Sequence, residues 1–275
     1  MLIPAVRAHD YGRAEPDILF RRIRQDGYTA VMLAYQKAIE GIGSYYQVDQ
    51  EVIHKTQVTL QMNGLELRTL GVYMELGMVD EELRGQAVDQ FLAGLKVAAA
   101  MGVPTVATET TPLHKQPSVT RQQAMKSLER SLGEILPHAQ DLGVQVCVEP
   151  VYYHTLATPE MCAKLLKDMA SPWLKLTFDP VNVMDPEQVA TQEQLWDRCM
   201  EYMGPAIRLM HIKGVCWQDG KLVKSSLEDS VVDYQGLFDR VSRLGLSMHV
   251  IREEAVPQRG QEEYAFLKKL CDRYS

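Results

Sequence analysis

Short apolar segments with the character of β-strands alternate with amphipathic helical segments about eight times along the chain. The strand-like segments are Ile3–Val6, Thr29–Leu33, Leu67–Tyr73, Thr105–Thr108, Gln145–Val148, Leu174–Phe178, Ile207–Ile212 and Ser247–Ile251. The helical segments are Pro16–Gln25, Asp49–Met62, Asp80–Met101, Ser118–Leu142, a helix beginning at Thr158-Pro159-Glu160, Gln188–Met203, Tyr234–Leu244 and Gln261–Asp272. Such alternation is typical of parallel β/α proteins, and eight units predict a closed (β/α)8 barrel.

The length of 275 residues suits either one large domain or two medium ones. No low-complexity linker or abrupt change in composition divides the chain, so we predict a single (β/α)8 barrel domain over residues 1–275. An open, doubly wound sheet is the alternative architecture. The chain contains no Gly-x-Gly-x-x-Gly or phosphate-loop motif that would support the nucleotide site of such a sheet.

The charge and composition of the chain narrow the kinds of partner it could have. A net charge of −7 without a dense basic run argues against nucleic acid as a partner. No apolar stretch is long enough to span a bilayer, and the first residues lack the pattern of a secretory signal, which predicts a cytoplasmic protein without a membrane partner. The five cysteines are scattered and form no Cys-x-x-Cys pair, as expected of reduced thiols.

Four of the predicted strands end in a residue of the type that binds metal ions. These residues are Glu149, Asp179, His211 and Glu253, and each gap between them has room for one helix and one strand. Consecutive parallel strands of a barrel bring their carboxyl ends to the same rim, where active sites of this fold lie. Three carboxylates and one imidazole at that rim would hold a divalent cation.

Taken singly, each of these residues has a structural explanation. Glu149 suits a surface loop, Asp179 a turn or helix cap, and His211 the barrel core, while Glu253 and Glu254 suit a solvated pair after the last strand. Their common position at strand ends, rather than the residue types, favours a joint functional site.

Several short segments support a resemblance to a known family. They are Cys147-Val148-Glu149-Pro150, Thr158-Pro159-Glu160, Phe178-Asp179-Pro180-Val181-Asn182, His211-Ile212-Lys213-Gly214 and Asp233-Tyr234. In their order and spacing the chain resembles the xylose isomerase-like TIM barrel superfamily, in particular its sugar phosphate isomerase/epimerase group. The resemblance covers essentially the whole chain and is strongest from about Leu92 onward.

The resemblance implies a metal site and an activity. The family's metal ligands fall on Glu149, Asp179, His211 and Glu253, with Glu254 in place of Glu253 if the register shifts by one residue. The ion is usually Mn2+ and sometimes Mg2+, Co2+ or Zn2+. A small carbohydrate is the implied partner, and relatives often form homodimers or homotetramers.

The chain departs from the family pattern at two positions. Asn182 lies where epimerases commonly have a histidine, and Gly214 lies where many members have an aspartate after His-x-Lys. An asparagine can bond a substrate oxygen but does not titrate as imidazole does.

The predicted chemistry is removal of a proton from a carbon beside a carbonyl, with the ion stabilising an enediolate. We expect Glu149 and Glu253 to take and return the proton, because the fifth and eighth strands approach the ion from different sides. The residues expected to contact substrate are Asn182, Lys213, His154, His9 and Glu75.

Three functions are compatible with this pattern. The first is a metal-dependent sugar isomerase or epimerase. The second is a lyase on the same scaffold, such as a keto-inositol dehydratase or an enzyme that cleaves 3-oxo-glycosides. The third is a sugar-binding barrel without catalysis. The asparagine at position 182, where epimerases commonly have a titratable histidine, is compatible with this third function.

Overall fold

Eight parallel strands form a closed barrel in the computed structural model, which describes residues 1–274. The barrel strands are β1 Leu2–Arg7, β2 Ala30–Leu33, β3 Glu66–Gly71, β4 Thr105–Glu109, β5 Gln145–Glu149, β6 Leu174–Phe178, β7 Ile207–Ile212 and β10 Met248–Arg252. Each strand pairs with its neighbour in the chain, and β1 pairs in parallel with both β2 and β10, which closes the ring. The predicted (β/α)8 barrel is confirmed.

Helices connect the strands and cover the outside of the barrel. They are α1 Pro16–Gln25, α2 Tyr35–Ala38, α3 Gln50–Met62, α4 Glu81–Met101, α5 Arg121–Leu142, α6 Pro159–Met169, α7 Pro180–Val183, α8 Gln192–Met203, α9 Tyr234–Ser242 and α10 Gly260–Arg273. Six short 3-10 helices lie between them, at Ala8–Tyr11, Tyr45–Gln47, Leu113–Lys115, Pro186–Thr191, Gly204–Ala206 and Pro257–Arg259. Within residues 1–274, none of the helices combines the length and apolar character that crossing a membrane requires.

Two helices begin three or more residues after their predicted starts, for local reasons. The helix expected from Ser118 begins at Arg121, because the Thr120 hydroxyl accepts a hydrogen bond from the Gln123 backbone N–H and caps it. The helix expected from Gln188 begins at Gln192, because Pro186–Thr191 forms a tighter 3-10 turn that Asp185 caps.

An antiparallel hairpin follows β7, and the strand–helix alternation did not predict it. Its strands are β8 Gly214–Gln218 and β9 Lys221–Ser225. Asp219 and Gly220 form the two-residue turn, with φ of 50° and 73°. An Asp-Gly pair with both φ angles positive is the turn that matches the twist of a hairpin, so the sequence did contain a signal for it.

Gly214 is required by this hairpin. A Cβ at Gly214 would collide with the backbone oxygens of Ser225 and Ser226 on the opposite strand. The absence of an aspartate at this position therefore has a packing explanation.

The core of the protein has two layers, because successive strand residues point to opposite faces. Apolar side chains between the strands and the helices form the larger layer. The smaller layer fills the inside of the barrel with Ala5, Ala30, Met32, Ala107, Cys147, Leu209 and Ile251. The residue two places further along a strand points the same way, so Glu149, His211 and Glu253 follow Cys147, Leu209 and Ile251 into the barrel at its carboxyl end.

Candidate metal centre

Three of the four predicted ligands converge at the carboxyl end of the barrel. Glu149 ends β5, His211 lies near the end of β7, and Glu253 directly follows β10. One donor atom from each lies within 4.8 Å of the others, and all three residues are buried. His211 Nδ1 is 2.9 Å from Glu149 Oε2 and 3.3 Å from Glu253 Oε1.

The imidazole of this group has nitrogen atoms without a hydrogen-bond partner, to which a metal ion could bind. Both ring nitrogens of His211 are buried, and neither has a hydrogen-bond partner, because the short approach of Nδ1 to Glu149 lacks hydrogen-bond geometry. A buried polar atom without a partner requires an explanation. Oxygen and imidazole donors that converge in this way suit Mn2+, Mg2+, Co2+ or Zn2+, so the residues fit a divalent ion.

Asp179, the fourth predicted ligand, lies beside this group but outside it. Its Oδ1 accepts hydrogen bonds from the backbone N–H groups of Val181, at 2.8 Å, and Asn182, at 2.9 Å, and so caps α7. Its Oδ2 lies 3.1 Å from Lys213 Nζ. The converging donors found among residues 1–274 do not include Asp179, so its role as a ligand stays a prediction.

Glu253 is held by two cations. Arg7 Nη1 donates to Glu253 Oε1 at 2.6 Å, and Lys213 Nζ donates to Glu253 Oε2 at 2.8 Å. Asp10 Oδ1 fixes the guanidinium by accepting from Arg7 Nε at 3.0 Å and Nη2 at 2.8 Å. Lys213 is thus buried between Asp179 and Glu253, and its predicted contact with substrate stays a prediction.

The choice between Glu253 and Glu254 is made by the backbone. Glu253 N donates to Ile212 O at 2.9 Å, which continues the pairing of β10 with β7 and keeps Glu253 at the inner face. Glu254 has a positive φ of 54° and turns away, so that its Oε1 lies 3.0 Å from Lys224 Nζ on the hairpin. Of the two glutamates, Glu253 alone joins the converging donors.

The charges at the centre shift one another's pKa values. Burial alone would raise the pKa of Glu253, but Lys213, His211 and Arg7 outweigh it and lower that pKa well below the usual range. Burial alone would lower the pKa of His211, but Glu149 and Glu253 raise it to about 9. Burial raises the pKa of Asp179 to about 6, against the opposing effect of Lys213.

Arg7 and Glu109 belong to the same rim, although neither was among the predicted site residues. Glu109 ends β4 and pairs in register with Glu149. Burial, followed by repulsion from Glu149 and Glu253, raises the pKa of Glu109 to about 7. Arg7 lies two residues beyond the inward-facing Ala5, and Glu109 lies two residues beyond the inward-facing Ala107. Strand alternation therefore contained the signal that would have found them.

Asn182 contacts the centre directly. Its side-chain Nδ2 donates to Glu149 Oε1 at 2.5 Å, and its backbone O accepts from Tyr152 N at 2.7 Å. The asparagine therefore orients Glu149, and its predicted contact with substrate stays a prediction.

Of the two histidines predicted to contact substrate, His154 is buried and His9 is half-buried, and neither is among the converging donors. The ring of His154 lies edge-on to Tyr153, and burial lowers the pKa of His154 to about 4. The ring of His9 lies edge-on to Tyr73, and burial lowers the pKa of His9 to about 3. The Nδ1 atom of each has no hydrogen-bond partner.

Glu75 lies further out, in an ion pair with Lys115 on the surface. More than a third of its side chain is exposed, at 37%. Among the described residues, no hydrogen bond or ion pair links it to Glu149, His211 or Glu253, and its predicted role in substrate binding stays a prediction.

A cleft of about 570 Å³ opens beside the centre. Asn182 and Lys213 line its inner end, and the hairpin with Trp217 forms one wall. The other wall includes Tyr152 and Met184. The rim is therefore reachable from solvent through a cleft of the size that holds small ligands.

Comparison with known proteins identifies the family and the structural neighbours of this barrel. A family model described as xylose isomerase-like TIM barrel matches residues 20–270. A search of curated proteins finds no match. Among solved structures, a D-tagatose 3-epimerase-like protein is 12% identical with a TM-score of 0.78, and the alignment covers 99% of this chain and 98% of that chain.

Two further structures share the fold. A D-psicose 3-epimerase, solved in the presence of D-fructose, is 14% identical with a TM-score of 0.74, covering 98% of this chain and 99% of that chain. The IOLI protein, solved with a bound zinc atom, is 14% identical with a TM-score of 0.75, covering 99% of this chain and 97% of that chain. The eight-stranded barrel and the extent of the family match together show that the chain belongs to the xylose isomerase-like TIM barrel family.

Proposed function

We propose that this protein is a divalent-metal-dependent isomerase or epimerase that acts on a small carbohydrate. The observation that carries the proposal is the convergence of Glu149, His211 and Glu253 within 4.8 Å at the carboxyl end of the barrel. The structural neighbours that are named as sugar epimerases, and the one with bound zinc, support the same reaction class.

Glu149, His211 and Glu253 would hold the ion, with Asp179 as a fourth ligand. A bound divalent ion supplies positive charge that stabilises negative charge on substrate oxygens when a carbon beside a carbonyl loses its proton. The protein's own groups position the reacting side chains. Asn182 fixes one oxygen of Glu149, and Arg7 and Lys213 fix both oxygens of Glu253.

Glu149 and Glu253 are the proposed proton carriers. Arg7 and Lys213 keep Glu253 ionised, which is the state that accepts a proton. The two glutamates lie on β5 and after β10, on opposite sides of His211, so one removes a proton and the other returns it at the opposite face or the neighbouring carbon.

Proton exchange tests the reaction. Purified protein is incubated with Mn2+ and single ketoses in D2O, and NMR follows deuterium incorporation beside the carbonyl. We expect exchange without loss of water or of a leaving group. Elimination products would instead show a lyase, and no exchange with any ketose would support the sugar-binding alternative.

Metal binding is tested separately. We expect the purified protein to contain a divalent ion, and added Mn2+ to raise the melting temperature. Glu149→Gln should reduce that increase, whereas Glu254→Gln should preserve it because Glu254 points to Lys224. An unchanged increase in the Glu149 variant would contradict the proposed site.

A further inference from the structure

The cleft beside the metal centre continues the site outward along the hairpin. At its inner end, Asn182 bonds Glu149 and Lys213 bonds Glu253, so a molecule in the cleft touches groups that contact the proposed ligands. A volume of about 570 Å³ lies within the range of roughly 300–1,000 Å³ typical of sites for ligands larger than one sugar ring. The cleft therefore has room for more than one sugar ring.

Trp217 is the most exposed large aromatic side chain of the cleft. It lies on β8 and exposes 47% of its surface, whereas Trp196 is fully buried. Because the indole lines a cleft, a ligand bound there can cover its exposed face. The aromatic face is electron-rich and attracts the C–H bonds on the flat face of a sugar ring.

The hairpin holds Trp217 in a fixed place relative to the site. The Tyr234 hydroxyl donates to Lys213 O at 2.6 Å and accepts from Lys213 N at 3.2 Å, so the residue before β8 is anchored to α9. The antiparallel pairing of Gly214 with Ser225 and of Trp217 with Leu222 sets the register of β8 against β9. The distance between the metal centre and the indole is therefore set by the fold.

The charges lining the cleft are nearly balanced. Lys213 is neutralised by Asp179 and Glu253, and Lys224 pairs with Glu254. Among the remaining charged lining residues, Lys221 is offset by Glu187. Balanced charge and an exposed indole suit a neutral sugar unit better than a phosphorylated or acidic one.

We propose that the cleft binds the second sugar unit of a glycoside or disaccharide, stacked on Trp217, while the first unit lies at Glu149, His211 and Glu253. This inference rests on the proposed function for the position of the first unit. It narrows the substrate from a free monosaccharide to a two-unit carbohydrate without charge.

Calorimetric titration tests the second subsite with named probes. Glucose is compared with maltose, cellobiose, trehalose and sucrose on wild-type protein, Trp217→Ala and Trp217→Phe. We expect at least one disaccharide to bind about tenfold more tightly than glucose, a difference of about 1.4 kcal/mol. Trp217→Ala should remove this preference, and Trp217→Phe should keep most of it. Tyr202→Ala is the matched control, since Tyr202 is 38% exposed on α8 and does not line the cleft.

Two results would overturn the proposal. One is a disaccharide affinity no greater than that of glucose, or equal in wild type and Trp217→Ala. The other is a dimer, seen by sedimentation velocity, that Trp217→Ala converts to a monomer, because Trp217 would then belong to an interface between copies.

The D2O exchange assay distinguishes failure of the second subsite from failure of the proposed reaction. Trp217-dependent disaccharide binding without exchange of any sugar would refute the reaction alone. Exchange of free ketoses without any preference for disaccharides would refute the second subsite alone.

Discussion

The two ends of the barrel differ in how far their charged side chains are exposed. At the carboxyl ends of the strands, Glu149, His211 and Glu253 are each at most 2% exposed. At the amino end, the side chains of the ion pair Arg68 and Glu66 are 56% and 45% exposed. Both ends of the barrel carry ionisable residues. The difference lies in whether the charge is removed from water.

Burial of charge is costly, and attraction between charges in the interior offsets that cost only with good geometry and full hydrogen bonding. The amino end avoids the cost, since its polar cavity of about 310 Å³ is lined by partly exposed side chains such as Arg208 and His249. At the carboxyl end, His211 is fully buried with both ring nitrogens unpartnered, whereas His249 at the amino end, with one unpartnered nitrogen, stays partly exposed. A stable barrel needs no such centre, so the burial of charge distinguishes the carboxyl end as the candidate site.

The largest expected effect is on catalysis at the carboxyl end. Glu149→Gln and Glu253→Gln should each lower the rate of substrate proton exchange about 10²–10⁴-fold, because a proton carrier is lost. Glu66→Gln at the amino end should leave the rate unchanged. NMR exchange rates in D2O measure the effect, and circular dichroism checks that each variant folds. An equal loss of exchange rate in the Glu66 variant would show that the two ends of the barrel do not differ in function.

The next effect concerns the stability of a buried ion pair at the carboxyl end, on the outer face of the barrel. Arg252, the last residue of β10, donates to Glu263 on α10 at 2.6 and 2.8 Å, and neither side chain is more than 2% exposed. Arg252→Met leaves a buried carboxylate unpaired and should lower the free energy of unfolding by about 3–5 kcal/mol.

The exposed pair at the amino end is the matched control. Arg68→Met should change the free energy of unfolding by about 0–1 kcal/mol, because Arg68 and Glu66 are solvated. Urea unfolding measures both variants. Arg252→Met combined with Glu263→Leu should recover most of the loss, and failure to recover would show that packing rather than charge is responsible.

A smaller effect is stabilisation by metal. Mn2+ at about 100 times its dissociation constant should add about 2.7 kcal/mol, which corresponds to a rise in melting temperature of roughly 5–10 °C. His211→Asn should lose most of this rise, while His249→Asn, at the amino end, should keep it. Thermal unfolding with Mn2+ and with a chelator provides the measurement. A rise retained by His211→Asn would exclude the site.

The smallest effect is a pH dependence of stability from His154, in the loop after β5. Burial lowers its folded-state pKa to about 4, and the unfolded chain binds the proton near pH 6.5. The unfolded state binds more protons between these values, so stability falls as the pH decreases from 6.5 towards 4.

His154→Gln should therefore reduce the loss of stability between pH 7.5 and 5.5 by about 1 kcal/mol. Urea unfolding at the two pH values tests this. His138→Gln, at an exposed position on α5, is the control and should leave the pH dependence as in wild type. The same slope in the His154 variant would show that the imidazole is not buried in solution.

Much of the fold and part of the centre could be predicted, because strand alternation is a local property. The apolar strand ending in Glu149 identifies the carboxyl end of β5, and the same holds for β7 with His211 and for β10 with Glu253. The identical rule, applied to β1, would have added Arg7 to the residues at this rim. The hairpin was missed because its Asp219-Gly220 turn lies within a loop of the predicted alternation.

Other features could not be predicted, since they depend on which groups meet across the barrel. Asp179 was expected to act as a cap or as a ligand, and the structure confirms the cap without testing the second role. The substrate contact expected of Lys213 stays a prediction, and its pairing with Asp179 and Glu253 was not foreseen. Rotamers and distances between strands far apart in the chain decide such pairings.

The sequence by itself determined the (β/α)8 architecture and the strand ends that carry Glu149, His211 and Glu253, because side chains alternate every two residues along a strand. Only the tertiary structure decided that Glu253 rather than Glu254 faces His211 and that Trp217 lines a cleft beside the centre. The physical reason is that closure of the barrel, a positive φ at Glu254 and the folding back of the hairpin set these positions. None of the three follows from local periodicity.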